Sequence, residues 1–282
     1  MFNRLSNSWD LVKASANVLK ADRELVIFPI ISAVALVIVS LIFLLPMIVA
    51  NIFSDMFSGS SILGYAILFV FYIVQYCVIF FSNTALVGAA LIRLRGGDPT
   101  VSDGLQIAFS RLVPILGYAV IAATVGMLLK VISDRNRNFI VQMILSVIQF
   151  GWNVATFLVV PILAVENVGP IDAIKRSTAY LKKTWGEQIV GDLAISAIFT
   201  LINIGIIALG ALLTVGAAYL NAPPAILIAI VLMFIMGLIL SILIGSTLSS
   251  IFVAAVYQFV ADGSAGAFFD KSLVQRAFRP RN

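Results

Sequence analysis

The chain has 282 residues, of which 61% are hydrophobic and 11% charged, and its net charge is +5. Soluble domains carry roughly a quarter charged residues, so this composition excludes an ordinary soluble fold and predicts an integral membrane protein. The basic excess does not indicate nucleic-acid binding, because Lys and Arg lie at the ends of apolar runs and form no binding module with aromatic residues. We expect a single membrane domain, residues 1–282.

Six apolar runs are long enough to cross a bilayer, which takes about 20 helical residues. They are Val26–Ala50, Ile62–Ile92, Leu112–Ile132, Phe139–Val165, Ile189–Leu220 and Ala225–Val260. None alternates like a barrel strand, and backbone groups in lipid must be paired within the chain, so all six are predicted helices. Pro161, close to the end of the fourth run, predicts a kink. The second and sixth runs exceed the bilayer thickness and must tilt, kink or emerge.

An Asp-led segment precedes each pair of runs: Asp10–Lys20, Asp103–Leu112 and Asp172–Lys182. All three carry an apolar residue at +2, Lys or Gln at +3, Ser or Ala at +5 and Leu at +9. The pattern predicts a short amphipathic helix on the membrane surface, with the Asp in its first turn, where the helix dipole favours an anion. The chain thus divides into three hairpins in repeat-like units, 1–95, 96–166 and 167–260, and a tail, 261–282.

The apolar face of each surface helix is expected to rest in the headgroup region. In the first helix this face comprises Leu5, Trp9, Val12, Ala16 and Leu19. In the third it comprises Ile171, Ile174, Thr178, Leu181 and Trp185.

The orientation of the chain in the membrane follows from the distribution of its basic residues. Of the 18 Lys and Arg, all but Lys130, Arg135 and Arg137 fall on the side of the two termini. The positive-inside rule therefore predicts a multi-pass protein of the cytoplasmic (inner) cell membrane with both termini in the cytoplasm.

The basic residues of the surface segments predict binding of anionic lipid headgroups or of a membrane-protein partner. The candidates are Lys13, Lys20, Arg23, Arg93, Arg95, Arg111, Lys175, Arg176, Lys182 and Lys183. Our leading hypothesis is a non-enzymatic membrane protein that binds lipid or a partner through these helices.

Several polar residues lie within or beside the apolar runs. Gln149 and Asn153 are four residues apart in the fourth run, Asn203 lies midway along the fifth, and Asp192 lies near its start. Such residues either hydrogen-bond across helices or line a polar path. The second possibility supports a rival hypothesis, a small-solute transporter or channel, which requires these four side chains to converge.

A membrane enzyme is the third hypothesis. The chain has no His, the commonest general base, and its single cysteine, Cys77, lies inside an apolar run. The carboxylates of Glu166 and Asp192, at span edges, are the remaining candidates for acid–base chemistry on lipids. We expect no enzyme, no cofactor and no metal.

The sixth run contains four small residues at a spacing of four, Gly237, Ser241, Gly245 and Ser249. This spacing predicts one helix face that packs closely against another helix. That helix belongs either to the same chain or to a second copy in a homo-oligomer.

Three stretches carry a family resemblance: Ser8–Ser15, Leu19–Pro29 and Phe268–Pro280. With them the chain resembles a family of bacterial and archaeal six-span membrane proteins of unknown function. More distantly, it is similar to the membrane domain attached to some glycerophosphodiester phosphodiesterases. The resemblance implies the multi-span fold and brings no activity, because nothing in the chain resembles the phosphodiesterase catalytic barrel.

Overall fold

A computed structural model describes residues 2–49, 62–135, 138–185, 194–264, 266–270 and 274. The described elements are helices, joined by turns and short connections. The helices are α1 (Phe2–Ala21), α2 (Ile27–Val49), α3 (Ile62–Leu94), α4 (Val101–Ser110), α5 (Leu112–Arg135), α6 (Phe139–Thr156), α7 (Val159–Val165), α8 (Pro170–Trp185), α9 (Ala194–Tyr219) and α10 (Pro224–Asp262). A 3₁₀ turn, Arg23–Val26, joins α1 to α2.

Six helical segments are long and apolar enough to cross a membrane, which confirms the predicted all-α membrane fold. They are Arg23–Pro46, Ala66–Leu94, Leu112–Arg135, Phe139–Val165, Ile198–Tyr219 and Pro224–Asp262. The fourth segment comprises α6 and α7. The start of the fifth predicted run, residues 189–193, lies outside the described residues.

The fourth span is broken where Pro161 predicts a kink. Helix α6 ends at Thr156 and α7 begins at Val159, so the break lies just ahead of the proline. Proline has no N–H for the carbonyl four residues earlier, and its ring crowds that carbonyl. At the break the backbone N–H of Leu158 donates to Ser177 Oγ of α8 at 3.1 Å. A neighbouring helix therefore stabilises the interruption.

The hydrophobic core lies at one end of the bundle, which we call the basic end. There α1, α4, α7 and α8 pack around the C-terminal halves of α3 and α10. The fully buried segments include Ala85–Val87 and Ala254–Val256. The long helices α3 and α10 accordingly continue beyond a bilayer's thickness into a protein core.

At the opposite end the spans expose large apolar side chains. Val37, Val147 and Leu212 are 59%, 66% and 68% exposed. Such exposure is unfavourable in water and favourable in lipid, because apolar surface prefers an apolar environment. Helices α2 and α3 pack side by side, as do α9 and α10, whereas α5 and α6 touch only sparsely. The three predicted repeats thus differ in their packing.

Glycine allows the closest approach between helices at Gly104 of α4. A Cβ placed there would lie 2.5 Å from Phe28 Cζ and 2.7 Å from the Ala85 carbonyl oxygen. The short helix α4 therefore packs directly onto the backbone of α3.

The predicted small-residue face of α10 packs in part within this chain. A Cβ on Gly245 would lie 2.7 Å from the Phe199 ring of α9, and Ser241 is buried. Ser249 is half-buried, and no atom lies within 4 Å of a Cβ built on Gly237. A second close contact between α9 and α10 was not predicted: Phe234 of α10 packs on Gly210 of α9.

The three leading Asp residues differ in position. Asp103 is the third residue of α4 and forms a capping box with Thr100, and Asp172 lies in the first turn of α8. Asp10 lies well inside α1, which begins at Phe2, so its predicted role as a helix start is wrong. The shared pattern does not distinguish a first turn from a second or third one.

The buried faces of α1 and α8 coincide only in part with the predicted stripes, with which they share Val12 and Leu181. In α1, Leu11, Val12, Ala14, Ser15 and Val18 are buried, whereas Trp9 is 49% exposed. These faces pack on the bundle, and small residues let the helix axes come close. In α8 the buried residues are Ala173, Ser177 and Leu181, and Ile171 and Thr178 are exposed. The structure does not describe the side chains of Leu5 and Trp185.

The capping box makes the stability of the first turn of α4 depend on pH. The backbone and hydroxyl of Thr100 donate to Asp103 Oδ2 at 2.8 and 2.7 Å, which holds the pKa of Asp103 below its usual value. A lowered folded-state pKa means that this stabilisation is present above the ordinary pKa and is lost as the pH falls through the lowered one. We expect Asp103→Asn to remove that acid sensitivity, measured as melting temperature against pH from 6 to 3. An unchanged pH profile would contradict this role.

Candidate functional site

Arg93 at the end of α3 joins three segments at the basic end. Its Nε lies 3.4 Å from Asp22 Oδ2, its Nη2 donates to the Ala21 carbonyl at 3.4 Å, and it also pairs with Asp98. The Asp22 side chain is only 4% exposed, and this burial raises the pKa of Asp22 while Arg93 opposes the rise. Arg93 thus has a structural role.

Glu166, which follows α7, accepts hydrogen bonds from three donors. Tyr180 of α8 and Tyr257 of α10 donate to its Oε1 at 2.9 and 3.1 Å, and Arg176 pairs with its Oε2. Its side chain is 13% exposed. The hydrogen bond to Glu166 raises the pKa of Arg176, and burial together with the carboxylate raises the pKa of Tyr180. The cluster ties α7, α8 and α10 together.

Two more arginines form hydrogen bonds or ion pairs with distant residues of the chain. Arg111 Nη1 donates to Asn167 Oδ1 at 2.5 Å and its Nη2 to the Val165 carbonyl at 3.5 Å. Arg95 pairs with Asp262 at 3.4 Å. With Arg93 and Arg176, four of the ten basic candidates therefore have internal partners that join separate helices.

The other six basic candidates are exposed. Lys13 pairs with Asp10 at 3.8 Å and Lys175 with Asp172 at 3.6 Å, within the same helix. Such exposed pairs contribute little to stability. Lys20, Arg23, Lys182 and Lys183 form no ion pair with a described residue. These four cations are available to a ligand.

A polar cleft lies between α3, α5 and α6, towards the opposite end. Its deep cavity, of about 240 Å³, is lined by Tyr76, Phe80, Tyr118, Ala122, Val125, Gly126, Gln149, Trp152, Asn153 and Thr156. A shallower cavity of about 500 Å³ between α5 and α6 shares Gly126, Gln149 and Asn153 with it. A third, of about 690 Å³, lies between α3 and α5 and shares Lys130 with the second.

The structure brings together two of the four polar side chains that the transporter hypothesis requires to converge. Gln149 Nε2 donates to Asn153 Oδ1 at 3.0 Å within α6, and both side chains are exposed in the cleft. Asn203 lies on α9 and lines none of these three cavities. Asp192 lies outside the described residues.

The hydroxyl and aromatic residues of the cleft were not predicted. Tyr76, Tyr118, Trp152 and Thr156 carry polar groups at the ends of apolar or amphipathic side chains, so they do not interrupt an apolar run. The signal available was their helical spacing with the amides, since Gln149, Trp152, Asn153 and Thr156 share one face of α6.

The described residues contain no group of three or more His, Cys, Asp or Glu side chains placed to hold a metal. Cys77 is a free, half-buried thiol in α3. Within the described part of the chain, the two arrangements with binding chemistry are thus the exposed cations of the basic end and the polar cleft.

Six apolar helices and charges concentrated beyond their ends define a multi-pass membrane protein. The chain belongs to a family of unknown function, DUF6159, which matches residues 62–268, from α3 to just beyond α10. No curated protein matches the chain. The expected membership of a family without assigned activity is confirmed. The bacterial or archaeal origin and the distant similarity to the phosphodiesterase membrane domain gain no support and stay predictions.

Proposed function

We propose that this protein is a non-enzymatic membrane protein that binds anionic lipid headgroups at its basic end, on the cytoplasmic side of the cell membrane. The main supporting observation is that Lys20, Arg23, Lys182 and Lys183 are exposed at that end and form no ion pair with any residue that the structure describes. Lys20 is in the last turn of α1 and Lys182 and Lys183 are in the last turn of α8.

The packing of α1 and α8 explains why these side chains face outwards. Each helix buries its small and apolar residues against the bundle, so its basic residues project from the opposite face. A basic side chain near an anionic membrane surface contributes about 1 kcal/mol of attraction. Several such residues on one surface give a preference for anionic over zwitterionic lipid.

The test replaces Lys20, Lys182 and Lys183 together by Gln. We expect the variant to retain phosphatidylglycerol from mixed micelles at least about tenfold more weakly than the wild type, because three attractive charges are lost. Native mass spectrometry of the bound lipid measures the difference. The same three positions changed to Arg keep the charge and serve as the matched control. Equal retention by the Gln variant and the control would refute this proposal.

The alternative, a small-solute transporter or channel, has weaker support. It requires Gln149, Asn153, Asn203 and Asp192 to surround one path, whereas Gln149 and Asn153 line the cleft and Asn203 does not. Thr156 lines the deep cavity, and shortly after it Leu158 and Val159 are fully buried in the core.

A further inference from the structure

The deep cavity of the polar cleft has hydrogen-bonding groups and aromatic walls at the level of the membrane-spanning segments. We propose that it binds the uncharged, hydroxyl-bearing headgroup of a membrane lipid. This site is separate from the basic end and does not depend on the function proposed for that end.

The two amides of α6 present unused hydrogen-bonding capacity to the cavity. In the bond between them Gln149 is the donor and Asn153 the acceptor, at 3.0 Å. The Gln149 carbonyl oxygen and the Asn153 amide hydrogens are left without a described partner. An unpaired amide at membrane depth is costly, because lipid tails offer no hydrogen bonds. A ligand hydroxyl, which both donates and accepts, satisfies the two groups at once.

Aromatic rings form the other walls. Phe80 stacks with Tyr76, with ring centroids 5.6 Å apart, and lies 4.4 Å from the Tyr118 ring centroid. Trp152 of α6 completes the lining. Gly126 keeps space open beside these rings, since a Cβ there would lie 3.3 Å from the Tyr76 hydroxyl. A cavity with apolar walls and few polar groups is the usual form of a small-ligand site.

The uncharged lining of the deep cavity favours an uncharged headgroup. Among the residues that the structure describes, those that line the deep cavity include no Lys, Arg, Asp or Glu. Placing a phosphate there would bury an uncompensated charge, which costs far more than burying a hydroxyl with hydrogen-bond partners. Lys130 lines only the two outer cavities and pairs with Asp134 at 3.3 Å.

The gap between α5 and α6 provides the route for such a lipid. The deep cavity continues into the cavity of about 500 Å³ between these helices, where Phe150 is 47% exposed. The headgroup is therefore placed in the deep cavity and the acyl chains lie between the splayed helices or in the bilayer.

Trp152 can report occupancy of the cavity. In the full chain with Trp9→Phe and Trp185→Phe, Trp152 is the single tryptophan. The protein is reconstituted in phosphatidylcholine nanodiscs with increasing monoglucosyl diacylglycerol, diacylglycerol or phosphatidylglycerol. We expect a saturable change of Trp152 emission with at least one of the two hydroxyl-bearing neutral lipids, and that lipid identifies the source of the hydroxyl. A response to phosphatidylglycerol alone, or to none of the three, overturns the proposal.

Variants of the amides test the contact directly. Gln149→Leu and Asn153→Leu, each in the single-tryptophan chain, are expected to weaken the saturable response at least about tenfold, since each removes hydrogen bonds to the ligand. Both side chains are exposed in the cleft, so both variants should keep the wild-type melting temperature. Asn203→Leu is the matched control, because it removes an amide from α9 outside the cavity. Unchanged binding by both α6 variants, or equal weakening by the control, overturns the assignment.

Discussion

Glu166→Leu is expected to destabilise the folded protein by about 3 kcal/mol, because it removes a shared acceptor that is only 13% exposed and leaves the hydroxyl of the buried Tyr257 unpaired. Tyr180 and Tyr257 lose their hydrogen-bond partner, and Arg176 loses its carboxylate. Leu has a similar size, so little of the loss comes from a cavity. Thermal unfolding in detergent micelles, followed by circular dichroism, measures the effect.

The control for Glu166 is Asp172→Asn in the neighbouring helix α8. Its ion pair with Lys175 is exposed on both sides, at 64% and 72%, and exposed pairs of this kind contribute at most about 1 kcal/mol. Equal melting temperatures for the two variants would show that the Glu166 cluster does not hold α7, α8 and α10 together.

Gly104→Ala is expected to have the second-largest effect, a loss of roughly 1–3 kcal/mol from overpacking. The new Cβ would overlap the Phe28 ring, and the Ala85 carbonyl cannot retreat without bending α3. Thermal unfolding again gives the measurement, and α4 should loosen before the remaining helices.

Gly151→Ala is the matched control for this change. Gly151 lies inside α6, and no atom lies within 4 Å of a Cβ built on it. Alanine there has room and a better helix propensity, so the variant should melt at or above the wild-type temperature. If Gly104→Ala melts as high as Gly151→Ala, the close packing of α4 on α3 is wrong.

The spans and the break in the fourth span could be predicted from the sequence, because both depend on local features. Length and apolar composition determine which segments suit a bilayer. Pro161 lacks the N–H that would continue the helical hydrogen bonding, so a single residue marks where the fourth span is interrupted. Lys20, Lys182 and Lys183 are exposed, and the lipid binding predicted for them stays a prediction.

The division of the basic residues into structural and available ones could not be predicted. Arg93 and Asp22 are 71 residues apart in sequence, and Arg95 and Asp262 are 167 apart. Only the packing of the helices decides which arginine meets a carboxylate. The offset of the buried faces of α1 and α8 from the predicted stripes has a similar cause, because packing against the bundle also buries small residues such as Ala14 and Ser177.

Single-cysteine accessibility shows whether six spans place the basic residues of α1 and α8 on one side of the membrane. In a Cys77→Ala chain, Lys20→Cys, Lys183→Cys and Lys130→Cys are each treated with a membrane-impermeant maleimide in right-side-out and inverted vesicles. We expect positions 20 and 183 to react only in inverted vesicles and position 130 only in right-side-out vesicles. Reaction of position 130 from the same side as positions 20 and 183 would contradict this arrangement.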